Sequence, residues 1–379
     1  MKVTSTASPA SDTSESAAVM RAMVLTGHGG VDKLVFRTDY PAPTPLPGEV
    51  LIKVGACGIN NTDINTRTGW YDQVVETSVS EDLGLKGRSD GAASSWNSST
   101  VAFPRVQGAA VVGRIAGVGP GVDPARVGER VIVDPSVRDA RLPERAQLLE
   151  YLGSERDGGF AEYVAVPALN AHAIDSPLSD AELATFPCSY DTAEEMLQRA
   201  GLSAGETIVI TGAAGGVGTA LIQLARIRGA RVVAIAGAAK EERLRALGAD
   251  EFVARESQDV QAEVEHLIGE RGAHVAADVV GGDMFGVLMK LLSRAGRYTT
   301  AGAIAGPTTR IDLRDLIYKD LEMYGITNPT ASTFARLVGL IQDGELKPLL
   351  EETYALQDLA QAQARLLKRT HVGKIVVTP

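Results

Sequence analysis

Residues 207–225 read TIVITGAAGGVGTALIQLA, and no other stretch constrains the fold as tightly. A β-branched run passes through small residues straight into an apolar helix-forming run. That is a strand, a tight turn and a helix, in that order. The turn carries Ala213-x-Gly215-x-x-Gly218, a glycine pattern with Ala213 at its first position and Gly212 just before it. In such a turn Gly215 lets backbone approach a pyrophosphate, and Gly218 lets the helix lie close on the strand. Gly216 and Val217 then open a helix whose first N–H groups face the phosphates.

The rhythm repeats downstream. ARVVAIAG, EFVA, HVAADVVG and RYTTAG read as strands, with KEERLRALGA, DVQAEVEHLIG and DMFGVLMKLLSRAG as helices between them. Strict alternation at these lengths predicts parallel βαβ units. Residues 186–344 are therefore expected to form a Rossmann domain with a doubly wound parallel sheet. Val280, Gly281, Ala301 and Gly302 fall at carboxyl ends of its later strands, where they are expected to touch the nicotinamide. The second strand ends at Ala236, Gly237, Ala238 and Ala239, with no carboxylate to hold a ribose 2′-OH. Gly237 leaves access for a 2′-phosphate, and Lys240 and Arg243 follow as cations, so the reading is NADPH. The same two cations also fit a solvated helix face paired with Glu241 and Glu242.

The first half is different. RAMVLTG, KLVFRTDY, GEVLIKVGACGI, VVGRIAGVG, ERVIVDP and FAEYVAVP are short apolar runs punctuated by Gly, Pro and Asp. They predict a β-rich domain over 21–185. The helical pattern DTAEEMLQRAG, with Ala193, Met196, Leu197 and Ala200 on one face, marks the passage to the second domain. GKIVVTP closes the chain as a strand like those of the first half, so residues 345–379 are expected to return there. Residues 1–20, rich in Ser, Thr and Ala, read as a disordered tail rather than a secretory signal. Residues 72–102 lack apolar periodicity; they read equally as a surface insertion or as a substrate loop with Trp96 as an anchor.

A net charge of −10 argues against nucleic acid or an anionic membrane as partner. No apolar run reaches the ~20 residues of a membrane span. Two cysteines, Cys57 and Cys188, give no disulfide framework and suit a reducing cytoplasm.

The stretch CGINNTDINTRTGWY, from Cys57 to Tyr71, holds the remaining chemistry. Taken with the GAAGGVG loop, RALGADE, DVVGG and HVGKIVVTP, it resembles the medium-chain dehydrogenase/reductase superfamily over residues 21–379. The resemblance implies a GroES-like catalytic domain interrupted by the Rossmann domain, with the active site in the cleft between them. It also implies a small-molecule substrate and a homodimer or homotetramer. Zinc-dependent members carry a Cys in G-x-C-x-T-D and a His in G-H-E. Here Asn60 and Ala109 stand at those places. Cys188 falls near a third ligand position, and one thiolate is too few for a zinc site; a small buried hydrophobe is the other reading of Cys188.

The sequence is more similar to the zinc-free quinone oxidoreductases and enoyl-thioester reductases. Their I-N-P-S-D-I-N segment, followed by G-x-Y, is matched by Ile59, Asn60, Asp63, Ile64, Asn65, Gly69 and Tyr71, with Asn61 in place of the proline. The resemblance implies a catalytic Tyr71, which also reads as a cap on the loop entrance. Asn60 and Thr62 are further donors, Asp63 reads as structural, and Lys374 matches a cofactor-proximal site or is a surface lysine. Without metal, an alkene conjugated to a carbonyl, or a quinone, is the easier hydride acceptor because its charge delocalises. The expected function is therefore NADPH-dependent, zinc-independent reduction of such acceptors. The alternatives are an NADP-dependent alcohol or ketone dehydrogenase without zinc, and a non-catalytic dinucleotide-binding protein.

Overall fold

A computed structural model describes residues 18–71, 77–87 and 101–379. Trp96 and most of the 72–102 insertion lie outside the described residues. The first strand, Val19–Leu25, starts inside the span expected to be tail, because Met20 has a core to enter and is buried.

The second domain holds six parallel strands. Their order is Glu251–Ala254, Arg231–Ala236, Thr207–Ile210, Ala273–Asp278, Leu292–Thr300 and Glu322–Gly325. In chain rank that is 3-2-1-4-5-6, the doubly wound order whose direction reverses between the first and fourth strands. A ligand crevice is expected at that reversal, and the glycine turn leaves Ile210 there. Two expected boundaries move. The helix expected over 283–296 stops at Leu291, and the strand runs Leu292–Thr300. The bonding accounts for it: Ala273 pairs with Leu292, so the ladder takes those residues from the helix.

The first domain is built on Glu49–Gly58. This strand pairs with Ala110–Val118 and with Tyr163–Pro167, and its end meets Lys374–Thr378. The closing strand thus completes the first domain's sheet, with Val376 opposite Gly58 and Val377 opposite Cys57. One apolar core continues across the junction, joining Ala56, Val112 and Val376 to Ile208, Ile210 and Leu221. The helix Tyr190–Arg199 lies in it; Ala193, Met196, Leu197 and Ala200 are all buried, as its period required. Gly201 then takes a φ of +59°, open to glycine, and ends the helix.

Candidate functional site

The glycine loop stands at the carboxyl edge of the six-stranded sheet. Gly212 takes φ +56°, so the left-handed residue sits one place before Ala213. Ala213 needs no such freedom; it is buried and its N–H donates to the Ile235 carbonyl at 3.2 Å. Gly215 caps the helix Gly216–Ile227 from an extended conformation, and no side chain caps its first turn. The three glycines are needed for different reasons. A Cβ on Gly218 would lie 2.3 Å from the Gly212 carbonyl oxygen, so close helix–strand packing requires glycine there. A Cβ on Gly216 would lie 2.5 Å from Ser189 Oγ and 2.7 Å from Lys374 Cδ. On Gly215 the nearest atom would be 3.6 Å away, so packing within the chain does not demand glycine. An open backbone at an uncapped helix start is what an approaching pyrophosphate requires. The loop fits a dinucleotide. Val217 packs its side chain onto the core beneath.

Opposite the loop, Asp278 is fully buried and organises the edge. It accepts from Val280 N–H at 2.8 Å, Gly281 N–H at 3.2 Å and Tyr298 O–H at 2.7 Å, and also from Thr211 Oγ. Gly281 takes φ +66° and lies against Ala303. Ala301 N–H donates to the Asp278 carbonyl at 3.3 Å, and a Cβ on Gly302 would lie 3.1 Å from the Val279 carbonyl. Val280, Gly281, Ala301 and Gly302 are therefore brought together on one edge. Asp278 itself was legible only as the strand-ending acid of DVVGG.

The ribose end differs from expectation. Arg243 is ion-paired to Glu351 at 2.8 Å, and this contact across the domain junction occupies it. Lys240 Nζ donates to the Arg369 carbonyl at 2.7 Å. Burial lowers the Lys240 pKa, and Arg255 and Arg243 lower it further. The cation nearest Gly237 is Arg255, whose guanidinium would lie 3.9 Å from a Cβ there. A carboxylate also arrives, from outside the second strand. Glu256 accepts from Ala238 N–H at 3.1 Å and pairs with Arg255 at 2.9 Å. Both lie just past the third strand, and the spacing to the second strand's tip is not written in local sequence.

The first-domain side of the cleft gathers a second group. Asp63 accepts from Asn60 N–H at 2.8 Å and so fixes the start of the helix Asn61–Thr68. Gly69 (φ +70°) ends that helix and turns the chain toward Tyr71. Lys374 is buried, not a surface residue, and its Nζ donates to Asn60 Oδ1. Ser189 Oγ lies 3.5 Å from the same oxygen. Thr62 Oγ1 is buried and has no hydrogen-bond partner among the described residues. Tyr71 accepts from Asn65 Nδ2 at 3.4 Å, which leaves its own O–H to donate. Burial holds that phenol above its ordinary pKa, hence protonated at neutral pH. Cys188, in the left-handed region at φ +68°, accepts from Tyr151 O–H at 3.2 Å, and burial pushes its thiol up to about 12. The sequence reading missed Tyr151, Ser189, Arg255 and Asp278.

Two buried acids beside this group carry a pH signature. Burial raises Asp63 to about 6, and burial with repulsion from Asp134 raises Asp191 to about 7. A carboxyl raised in the folded state is stabilised in its protonated form. Its contribution is complete below the unfolded value of 3.8 and is lost as pH rises through about 7. Asp191→Asn keeps an acceptor for Thr192 N–H, which now bonds Oδ1 at 3.0 Å, and cannot ionise. The difference in melting temperature between variant and wild type should therefore grow in the variant's favour from pH 4 to 7. A difference that stays flat across that range rejects the assignment.

The relatives agree with this geometry. A family model described as alcohol dehydrogenase GroES-like domain matches residues 46–176, and one described as zinc-binding dehydrogenase matches residues 216–343. A solved structure of a provisionally named alcohol dehydrogenase from Sinorhizobium meliloti 1021 is 47% identical, with a TM-score of 0.87, covering 95% of this chain and 97% of that one. The chain belongs to the medium-chain dehydrogenase/reductase superfamily. Within that superfamily, an NAD-dependent alcohol dehydrogenase of Sulfurisphaera tokodaii is 28% identical over 95% of this chain and 100% of its own length. An acryloyl-coenzyme A reductase of Metallosphaera sedula is 27% identical over 95% of this chain and 100% of its own length. The superfamily's enzymes are oxidoreductases, and the two-domain architecture above is theirs.

Zinc is implied by one of these descriptions, and the residues do not fit it. Among the described residues no three His, Cys, Asp or Glu side chains converge as a metal site. Ala109 offers no ligand atom, Asn60 Oδ1 is held by Lys374, and Cys188 Sγ is held by Tyr151.

Proposed function

We propose that this oxidoreductase is an NADPH-dependent, zinc-independent reductase of conjugated alkenes or quinones. The observation that carries the reading is the Lys374–Asn60 pair, an ammonium and an amide where the metal-using pattern needs a thiolate. Reduced nicotinamide supplies the hydride. The chain's residues orient the acceptor and offer hydrogen bonds to its oxygen. Thr62 and Tyr71 each have an O–H that can donate, and the buried Lys374 adds positive potential beside them. Such donors suffice where charge spreads into an enolate or quinol anion, each contributing about 3–4 kcal/mol. The test follows NADPH absorbance against enones, enoyl thioesters, quinones and simple ketones, with and without chelator. Chelator-sensitive turnover, or turnover of simple ketones alone, rejects the reading. The second result would favour a zinc-free alcohol dehydrogenase, in which the unpartnered Thr62 hydroxyl relays the alcohol proton.

The NADPH preference rests on Arg255 beside Gly237, against the opposing carboxylate of Glu256. Arg255→Ala should weaken NADPH by about 10-fold, the worth of one charge-assisted hydrogen bond, and leave NADH nearly unchanged. Equal losses for both dinucleotides, by titration calorimetry, would contradict it. We also propose a homodimer through the sheet-edge strand Glu322–Gly325, next to which Leu313, Ile317 and Tyr318 are exposed. The reducing cytoplasm remains our reading of location, consistent with two free buried thiols.

A further inference from the structure

Tyr151 has no part in the function proposed so far, yet the chain builds it a dedicated mount. It ends the strand Leu148–Tyr151, which among the described residues pairs only with Ser136–Arg138, apart from the main sheets. A tight turn then locks its backbone. Tyr151 N–H donates to Glu155 at 3.1 Å, and its carbonyl accepts from Ser154 N–H at 3.2 Å. The turn presses onto the strand that leads to Ala109. A Cβ on Gly153 would lie 2.7 Å from Gly108 N, and one on Gly158 would lie 2.2 Å from Gly108 O. Two glycines thus let LGSERDGG lie flat on that backbone.

The result is a small buried cluster of its own, made of Ala109, Tyr151 and Cys188. Ala109 is short, and the phenol ring occupies the space beside it. Its O–H points at Cys188 Sγ at 3.2 Å. Tyr71 and Lys374 are electrostatic neighbours of the same pair. The tyrosine hydroxyl thus meets Cys188 while its ring packs with Ala109, in the same electrostatic neighbourhood as Tyr71 and as Lys374, whose side chain lies under Gly216.

We propose that Tyr151 is a catalytic hydrogen-bond donor to the substrate's carbonyl or quinone oxygen, with Cys188 as its positioning residue. The proposal rests on the reductase reading above. Reduced nicotinamide held at the glycine loop would supply a hydride, giving up its C4–H bond as a C–H bond forms at the alkene β-carbon. The alkene electron pair shifts toward the carbonyl oxygen as an enolate. Tyr151 donates a hydrogen bond to that oxygen, and a proton from water completes the α-carbon. Cys188 makes this possible because the pair can reverse. The protonated thiol turns its S–H toward the phenol oxygen, and the phenol O–H turns to substrate. The phenol is itself held above its ordinary pKa by burial, so it keeps its proton.

The experiment uses the full chain with saturating NADPH and 2-cyclohexenone. Tyr151→Phe should lower kcat about 100-fold, the effect of one lost donor, with KM and NADPH affinity within about twofold. Cys188→Ala keeps the phenol, so kcat should fall by a smaller factor, about 10-fold, and this variant carries the test if Tyr151→Phe does not fold. Unchanged kcat in either folded variant, or a loss confined to KM, overturns the proposal while the reductase reading stands. A wild-type chain that reduces no enone, enoyl thioester or quinone overturns both.

Discussion

Gly218→Ala should bind dinucleotide about 5- to 150-fold more weakly and melt several degrees lower, because overpacking a close backbone contact costs about 1–3 kcal/mol. The added Cβ would stand 2.3 Å from the Gly212 carbonyl oxygen and close to the Ala213 backbone. Backbone cannot rotate aside as a side-chain tip can. The helix must therefore lift from the strand, and its first N–H groups would move from where they would meet a pyrophosphate. Gly215→Ala is the matched control, since its Cβ would meet nothing nearer than 3.6 Å. It should melt like wild type and still lose affinity, because the methyl enters the space left for pyrophosphate. Calorimetric titration with NADPH and thermal melts separate the two. If Gly215→Ala binds like wild type, the loop is a packing device and the dinucleotide lies elsewhere.

Tyr71→Phe should lower kcat about 100-fold on enones while KM changes little, the pattern of an interaction made only in the transition state. The ring stays, edge-on to Trp70 with centroids 5.7 Å apart, so the entrance to the site keeps its shape. Only the hydroxyl is lost. Asn65 Nδ2 then loses its acceptor, a small stability effect that a melt would register separately. If Tyr71 merely caps the loop entrance, KM rises and kcat holds. Combined with Tyr151→Phe, the pair forms a double-mutant cycle. Two donors on one oxygen should give losses that do not add.

The sequence was most legible where one element's period or one glycine's role is local. The alternating strands and helices of residues 207–300, the buried face of Tyr190–Arg199 and the glycine turn could all be read this way. What it hid was produced by pairing across distance. Arg255 and Glu256 reach Gly237 because the third strand lies beside the second, so the carboxylate absent from the second strand's tip comes from the next. Arg243 looked free for a phosphate because Glu351, its partner, lies 108 residues away. Lys374 meets Asn60 from 314 residues away. Tyr151 sat in a segment with no readable motif, and two glycines, Gly153 and Gly158, were its only local signal.

The strand Lys374–Thr378 completes the first domain's sheet, and its first residue enters the cleft under Gly216. During synthesis, the glycine loop and its sheet can form while the chain is still being made. The cleft cannot. A nascent chain that has not yet delivered Lys374 has a dinucleotide loop facing an unfinished wall. Activity should therefore require the segment Lys374–Thr378, and a chain cut just before it should hold cofactor yet fail to turn it over.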